Sequence, residues 1–228
     1  MALSLDPKKS ALIIQDLQND VIMPGGAFTK SDGPGPAEHA QSQKVVAHAK
    51  AIAAAARAAG MPVIHVWYVV DKGAPGLKLN APLFQAVAGG ALVRGSWGAA
   101  PAPGLEPKRG DLIVEKMRMN AFQDTNLETL LKGLGVESVV ITGAWTNFSI
   151  EHTVRHAADA GYRAVVVTDA TSTINDEWQH AALDYALTNI AERVPTADVV
   201  AALKAKAVPK KTTRRRAAAK PRRAAAKK

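Results

Sequence analysis

The sequence predicts an α/β protein: a doubly wound, mainly parallel six-stranded sheet between two helical layers. Three observations carry this. Short runs rich in β-branched residues alternate with helix-length amphipathic stretches along the chain. The strands read as near-continuous apolar runs, the pattern of a sheet covered on both faces. Glycine punctuates the helix ends, at Gly60, Gly133, Gly135 and Gly161.

The elements follow in order. Ala11–Gln15 (ALIIQ) is the first strand, ending at Asp16. Ala37–Ala59 reads as one long alanine-rich helix closed by Gly60. Pro62–Val70 (PVIHVWYVV) is strongly β-forming. The Gly/Pro/Ala-rich stretch that follows reads as loops, with a short helix at Pro82–Val87. Leu112–Glu115 (LIVE) is a strand that ends at Lys116. A helix over Thr125–Lys132 leads to a buried strand, Val136–Thr142. Then come a helix over Ser149–Ala160, a strand at Ala164–Thr168 and a helix over Asp176–Asn189. A short strand at Ala191–Val194 and a helix at Ala197–Lys204 close the domain.

Composition bounds the rest. A chain of 228 residues with 47% hydrophobic content suits one domain plus a tail, divided at residues 1–205 and 206–228. The formal net charge of +9 is misleading. The segment from Lys206 carries eleven of the 29 Lys and Arg and none of the 20 acids, so the body is close to neutral. This Lys/Arg/Ala-rich tail is expected to be disordered when free. It is a candidate for weak contact with nucleic acid or an anionic surface, although no aromatic residue interleaves its charges. The chain has no cysteine, which removes disulfides and thiolate metal sites and fits a cytoplasmic protein. No apolar run is long enough for a membrane span.

In an open parallel sheet, ligands bind beyond the carboxyl ends of the strands. Three polar elements stand there: Asp16, Lys116, and the turn Trp145–Ser149 inside ITGAWTNFSIE. The stretches ALIIQDLQND, RGSWG, and LIVEKMRMNAF through ITGAWTNFSIEHTV to AVVVTDAT resemble the isochorismatase-like hydrolases, or cysteine hydrolase superfamily. The resemblance spans about residues 9–204. It implies the same doubly wound sandwich, a catalytic acid at Asp16 and a lysine at Lys116. It places Ser149 where that family carries its nucleophilic cysteine. It also implies a cis peptide between Ala144 and Trp145, with the N–H groups of Trp145 and Ser149 forming an oxyanion hole. Family members commonly self-associate, so a homo-oligomer is expected.

Serine changes the chemistry, because a hydroxyl is far less acidic than a thiol and Asp16 alone is a weak base for it. Four readings of Ser149 stand together. It replaces a working cysteine; or it is a native, weaker nucleophile assisted by Asp16; or it stands by in an isochorismate-type vinyl-ether hydrolase that needs only Asp16 and Lys116; or it caps the following helix. His152 and His156 are the histidines that would have to turn back for a Ser-His-Asp triad. Gln18, Asn19, Phe28, Trp97, Phe122 and Trp145 are candidate substrate-binding residues, with Trp67 and Arg94 behind them. No His/Asp/Glu spacing suits a metal, and no Gly-rich phosphate loop follows the first strand, so neither metal nor cofactor is expected. The leading expectation is hydrolysis of a C–N bond in a small amide or ureido/carbamoyl compound. A catalytically silent family member with a nucleic-acid-contacting tail is the third reading.

Overall fold

The computed structural model describes residues 3–29 and 35–206. The basic tail from residue 207 on, and with it the expected disorder and nucleic-acid contact, lies outside the described residues. Six strands form one parallel sheet: β1 (Ser10–Gln15), β2 (Val63–Tyr68), β3 (Leu112–Lys116), β4 (Ser138–Ala144), β5 (Arg163–Ser172) and β6 (Glu192–Val194). Their order across the sheet is β3-β2-β1-β4-β5-β6, and every neighbouring pair is parallel. Strand order reverses between β1 and β4, which sets the ligand crevice at their carboxyl ends.

The helices are α1 (Asn19–Ile22), α2 (Pro36–Ser42), α3 (Val45–Ala59), α4 (Pro82–Ala88), α5 (Leu127–Gly133), α6 (Glu151–Asp159), α7 (Asp176–His180) and α8 (Thr196–Lys204). Two π-helical segments, Thr146–Ile150 and Ala181–Ala186, run into α6 and out of α7. One core lies between the sheet and α3 with α8, built on Leu12, Ile52, Val140, Val165 and Leu203. The second lies under α5 and α6, built on Ile13, Leu127, Ile141, Ile150 and Val166. Alternate residues of β1 and β4 feed opposite cores, which is why these strands read as unbroken apolar runs.

Several boundaries differ from expectation. The long helix over Ala37–Ala59 is two helices, broken at Lys44, whose φ is +53°. Nothing local forbids a continuous helix there; α2 turns to meet α1 and β5, so packing overrides propensity. The helix at Asp176–Asn189 ends three residues early, because Ala181–Ala186 widens to π geometry before Leu187. β5 runs on to Ser172, carrying a polar Thr-Asp-Ala-Thr-Ser stretch beyond its apolar part. Helix α1, four residues long, carries no periodic signal of its own. No helix among the described residues is long and apolar enough to cross a membrane.

Candidate active site

Asp16 is the first residue after β1. Its N–H still bonds Val66 O at 2.9 Å, but its φ of +54° turns the chain out of the strand. Aspartate tolerates this left-handed conformation better than most residues. The turn sends its side chain inward, where only 4% of it is exposed. Lys116 is the last residue of β3, two strands away, and its side chain is fully buried. Its ammonium passes 4.8 Å from the centre of the Tyr68 ring on the intervening strand. It then donates to Asp16 Oδ2 at 2.8 Å, to Arg118 O at 2.9 Å and to Ser149 Oγ at 3.5 Å. Three donors meet three acceptors, so the buried cation is satisfied.

Ser149 lies in the π segment at the head of α6, next to the cis peptide Ala144–Trp145. Its hydroxyl donates to Met119 Sδ at 3.6 Å while accepting from Lys116. Gln15 ties this turn to β1: its Nε2 donates to Ser149 O at 3.0 Å and Met119 O at 3.3 Å. Gln179 anchors the other end of the turn. It accepts from Thr146 Oγ at 2.6 Å and donates to Thr171 Oγ at 3.0 Å and Thr168 O at 3.2 Å.

Burial disfavours both charges. It pushes the Asp16 carboxyl above the usual carboxylate range, against the pull of Lys116 and, less strongly, of Ser149 and Gln15. It pulls the Lys116 ammonium down, against the opposing effect of Asp16. Asp16 Oδ1 is buried and has no hydrogen-bond partner among the described residues. A buried acceptor left open in this way is costly unless something else supplies a donor.

A small pocket opens over this cluster. Asp16 and Ser149 line its floor, and Phe28, Trp145 and Phe148 form an aromatic wall. Phe28 meets Trp145 edge-on with ring centres 6.0 Å apart, and the tilted Phe148 ring lies 5.9 Å from Trp145. Trp145 Nε1 donates to Val21 O at 3.2 Å, which fixes the ring.

The structure brings Asp16, Lys116, Ser149, Phe28 and Trp145 together; other candidates lie elsewhere. Gln18 is buried with its amide fully engaged, donating to Tyr68 O and Ala99 O and accepting from Tyr68 N–H, so it links β2 to a loop. Trp97 is 56% exposed on the loop whose carbonyl receives Asn19. Phe122 stacks on His156 with ring centres 4.6 Å apart, inside the α5–α6 core. His156 also pairs with Asn120, and exposed His152 pairs with Phe148 O, so neither reaches Ser149. Arg94 is engaged by Asp71 and Glu115, and Trp67 rests against His65. The residues that sequence reasoning missed are Tyr68, Met119 and Phe148. Tyr68 had one available signal, its place at the carboxyl end of β2. No group of three or more His, Asp or Glu suited to a metal occurs among the described residues.

A doubly wound parallel sheet with an acid, a lysine and a hydroxyl gathered at its switch point has the layout of an α/β enzyme site. The isochorismatase domain model matches residues 10–198, and the chain belongs to that family. An isochorismatase family protein from Burkholderia thailandensis is 30% identical, with a TM-score of 0.71 over 90% of this chain and 100% of that one. A cysteine hydrolase from Pseudomonas syringae pv. phaseolicola 1448A shares the fold at a TM-score of 0.78 and 22% identity, over 90% and 96% of the two chains. N-carbamoylsarcosine amidase from Thermoplasma acidophilum matches at 25% identity and a TM-score of 0.65, over 82% and 96%.

Proposed function

We propose that this hydrolase cleaves the C–N bond of a small amide or ureide with Asp16, Lys116 and Ser149, and without a metal. The observation that carries the reading is the three-way contact of Lys116 with Asp16 Oδ2 and Ser149 Oγ, beside an unpartnered Asp16 Oδ1. Asp16 takes the Ser149 proton as Oγ adds to the substrate carbonyl. Lys116 favours the ionised carboxylate and holds Oγ in place. The Trp145 N–H has no acceptor among the described residues, so with the Ser149 N–H it is a donor for the developing oxyanion. Asp16 then returns the proton to the departing nitrogen. In the second half it takes a proton from water, which cleaves the Ser149 ester and restores the hydroxyl. Similarity to N-carbamoylsarcosine amidase supports C–N over C–O cleavage.

Ammonia release from a panel of ureas and primary amides tests this. Wild type should turn over at least one member. Asp16→Asn should lose about 10²–10⁴-fold of that rate, as expected for a removed acid–base group. Ser149→Cys should be faster than wild type, because a thiolate forms more readily in the same setting. If neither wild type nor Ser149→Cys releases ammonia from any member, the reading fails. If Ser149→Ala retains full turnover, serine is no nucleophile.

A further inference from the structure

The walls of the pocket say what the rest of the substrate is, given the C–N reading above. We infer that the substrate is an uncharged amide or ureide whose substituent is apolar, aromatic or branched alkyl, and that a carboxylate-bearing analogue is rejected. Among the described residues, the side chains that bring oxygen atoms to the lining are Asp16, Ser149 and Tyr68, and Asp16 and Ser149 meet the scissile group. Phe28, Trp145, Phe148, Leu83, Val87 and Leu92 supply most of the remaining lining. The Tyr68 hydroxyl is already engaged, donating to Met117 O at 2.6 Å. Val87 is buried and Leu83 half-buried on α4, and both line the pocket, so α4 contributes apolar side chains to it.

Charge points the same way. Among the described residues, Lys116 is the cation that touches Asp16 and Ser149, and Asp16, Arg118 O and Ser149 already take its three donors. Arg118 lies over the Phe84 ring at 4.2 Å, donates to Lys78 O and Asn80 Oδ1, and is not among the residues lining the pocket. Arg94 is held by two carboxylates. A substrate carboxylate would thus be buried against aromatic and aliphatic side chains with no cation to receive it among the described residues lining the pocket. That burial is unfavourable, whereas a phenyl or branched alkyl group there gains from leaving water. Phe28, Trp145 and Phe148 give a substrate ring aromatic side chains to pack against.

The test compares two monosubstituted ureas, benzylurea and N-carbamoylglycine, which present the same ureido group with a neutral ring or a carboxylate. Ammonia release should give benzylurea at least a 100-fold advantage in kcat/KM. Leu83→Arg, at the half-buried lining position on α4, should move the ratio at least tenfold toward N-carbamoylglycine. A ratio of one, or a preference for the carboxylate, overturns the inference while leaving C–N hydrolysis standing. If neither urea is turned over, binding still decides. Benzylurea should quench tryptophan fluorescence saturably, at least tenfold more tightly than N-carbamoylglycine, and Trp145→Phe should remove most of that signal. Equal or reversed binding overturns the inference there too. Loss of turnover with the binding order intact would instead strike the hydrolysis reading.

Discussion

Replacing Lys116 by methionine keeps the volume of the side chain but strips the partner from a carboxylate that is only 4% exposed. At the observed separation of 2.8 Å the pair attracts by roughly 6 kcal/mol for an effective dielectric constant of about 20. Desolvating the two ions costs several kcal/mol each, so the intact pair adds little net stability. Removing one member is different, because the carboxylate stays buried and loses its compensation. We expect Lys116→Met to lose about 3–5 kcal/mol at pH 8. The loss should depend on pH. Burial already raises the Asp16 pKa in the fold, and without Lys116 the largest opposing influence is gone. A carboxyl whose folded pKa exceeds its unfolded value binds its proton more tightly in the fold. Stability is then greatest below the unfolded value and falls by about 1.4 kcal/mol per unit as pH rises toward the folded one. Chemical denaturation at pH 5 and pH 8 reads this out, as variant minus wild type. The deficit should shrink at pH 5, and Asp16→Asn/Lys116→Met should be more stable than Lys116→Met at pH 8. A deficit equal at both pH values, with no rescue by the second substitution, would refute the ion-pair account.

Three further outcomes follow from the same geometry. The acid limb of the pH–rate profile should lie above the ordinary carboxylate range, because burial raises Asp16 and the reaction needs it ionised; Asp16→Asn should remove that limb together with most of the rate. Asp111 is held by Arg57 at 2.5 Å and His65 at 3.2 Å with its side chain 3% exposed. Burial alone would raise it, but Arg57, the Lys108 N–H and His65 outweigh this and bring it to about 2. Its contribution of roughly 2 kcal/mol should be present above about pH 4 and disappear as pH falls through 2, and Asp111→Asn should lack it in denaturation curves. Gly143→Ala should cost about 3 kcal/mol or fail to fold, because the new Cβ would sit 2.0 Å from Gln15 O at a φ of +142°; a melting temperature equal to wild type would contradict the observed approach of β4 to β1.

The sequence alone carries the sheet and the three polar strand ends. Apolar runs encode burial on both faces, and their ends mark where the backbone leaves the sheet, so Asp16, Lys116 and the Trp145–Ser149 turn could be placed from local pattern alone. It also determined that Ser149 is a hydroxyl, with the chemistry that follows. What it could not rank was the set of aromatic residues. Phe28, Trp97 and Phe122 look alike as single letters in polar stretches. Only the tertiary structure separated them, because side chains distant in sequence decide which cavity each one enters: Phe28 against Trp145, Phe122 against His156, Trp97 toward solvent. The same holds for Gln18, whose amide is engaged by Tyr68 on a strand fifty residues away and by Ala99 O in a loop. Lys116 comes within 2.8 Å of Asp16 because the order β3-β2-β1 leaves one strand between them, and its ammonium lies 4.8 Å from the Tyr68 ring on that strand.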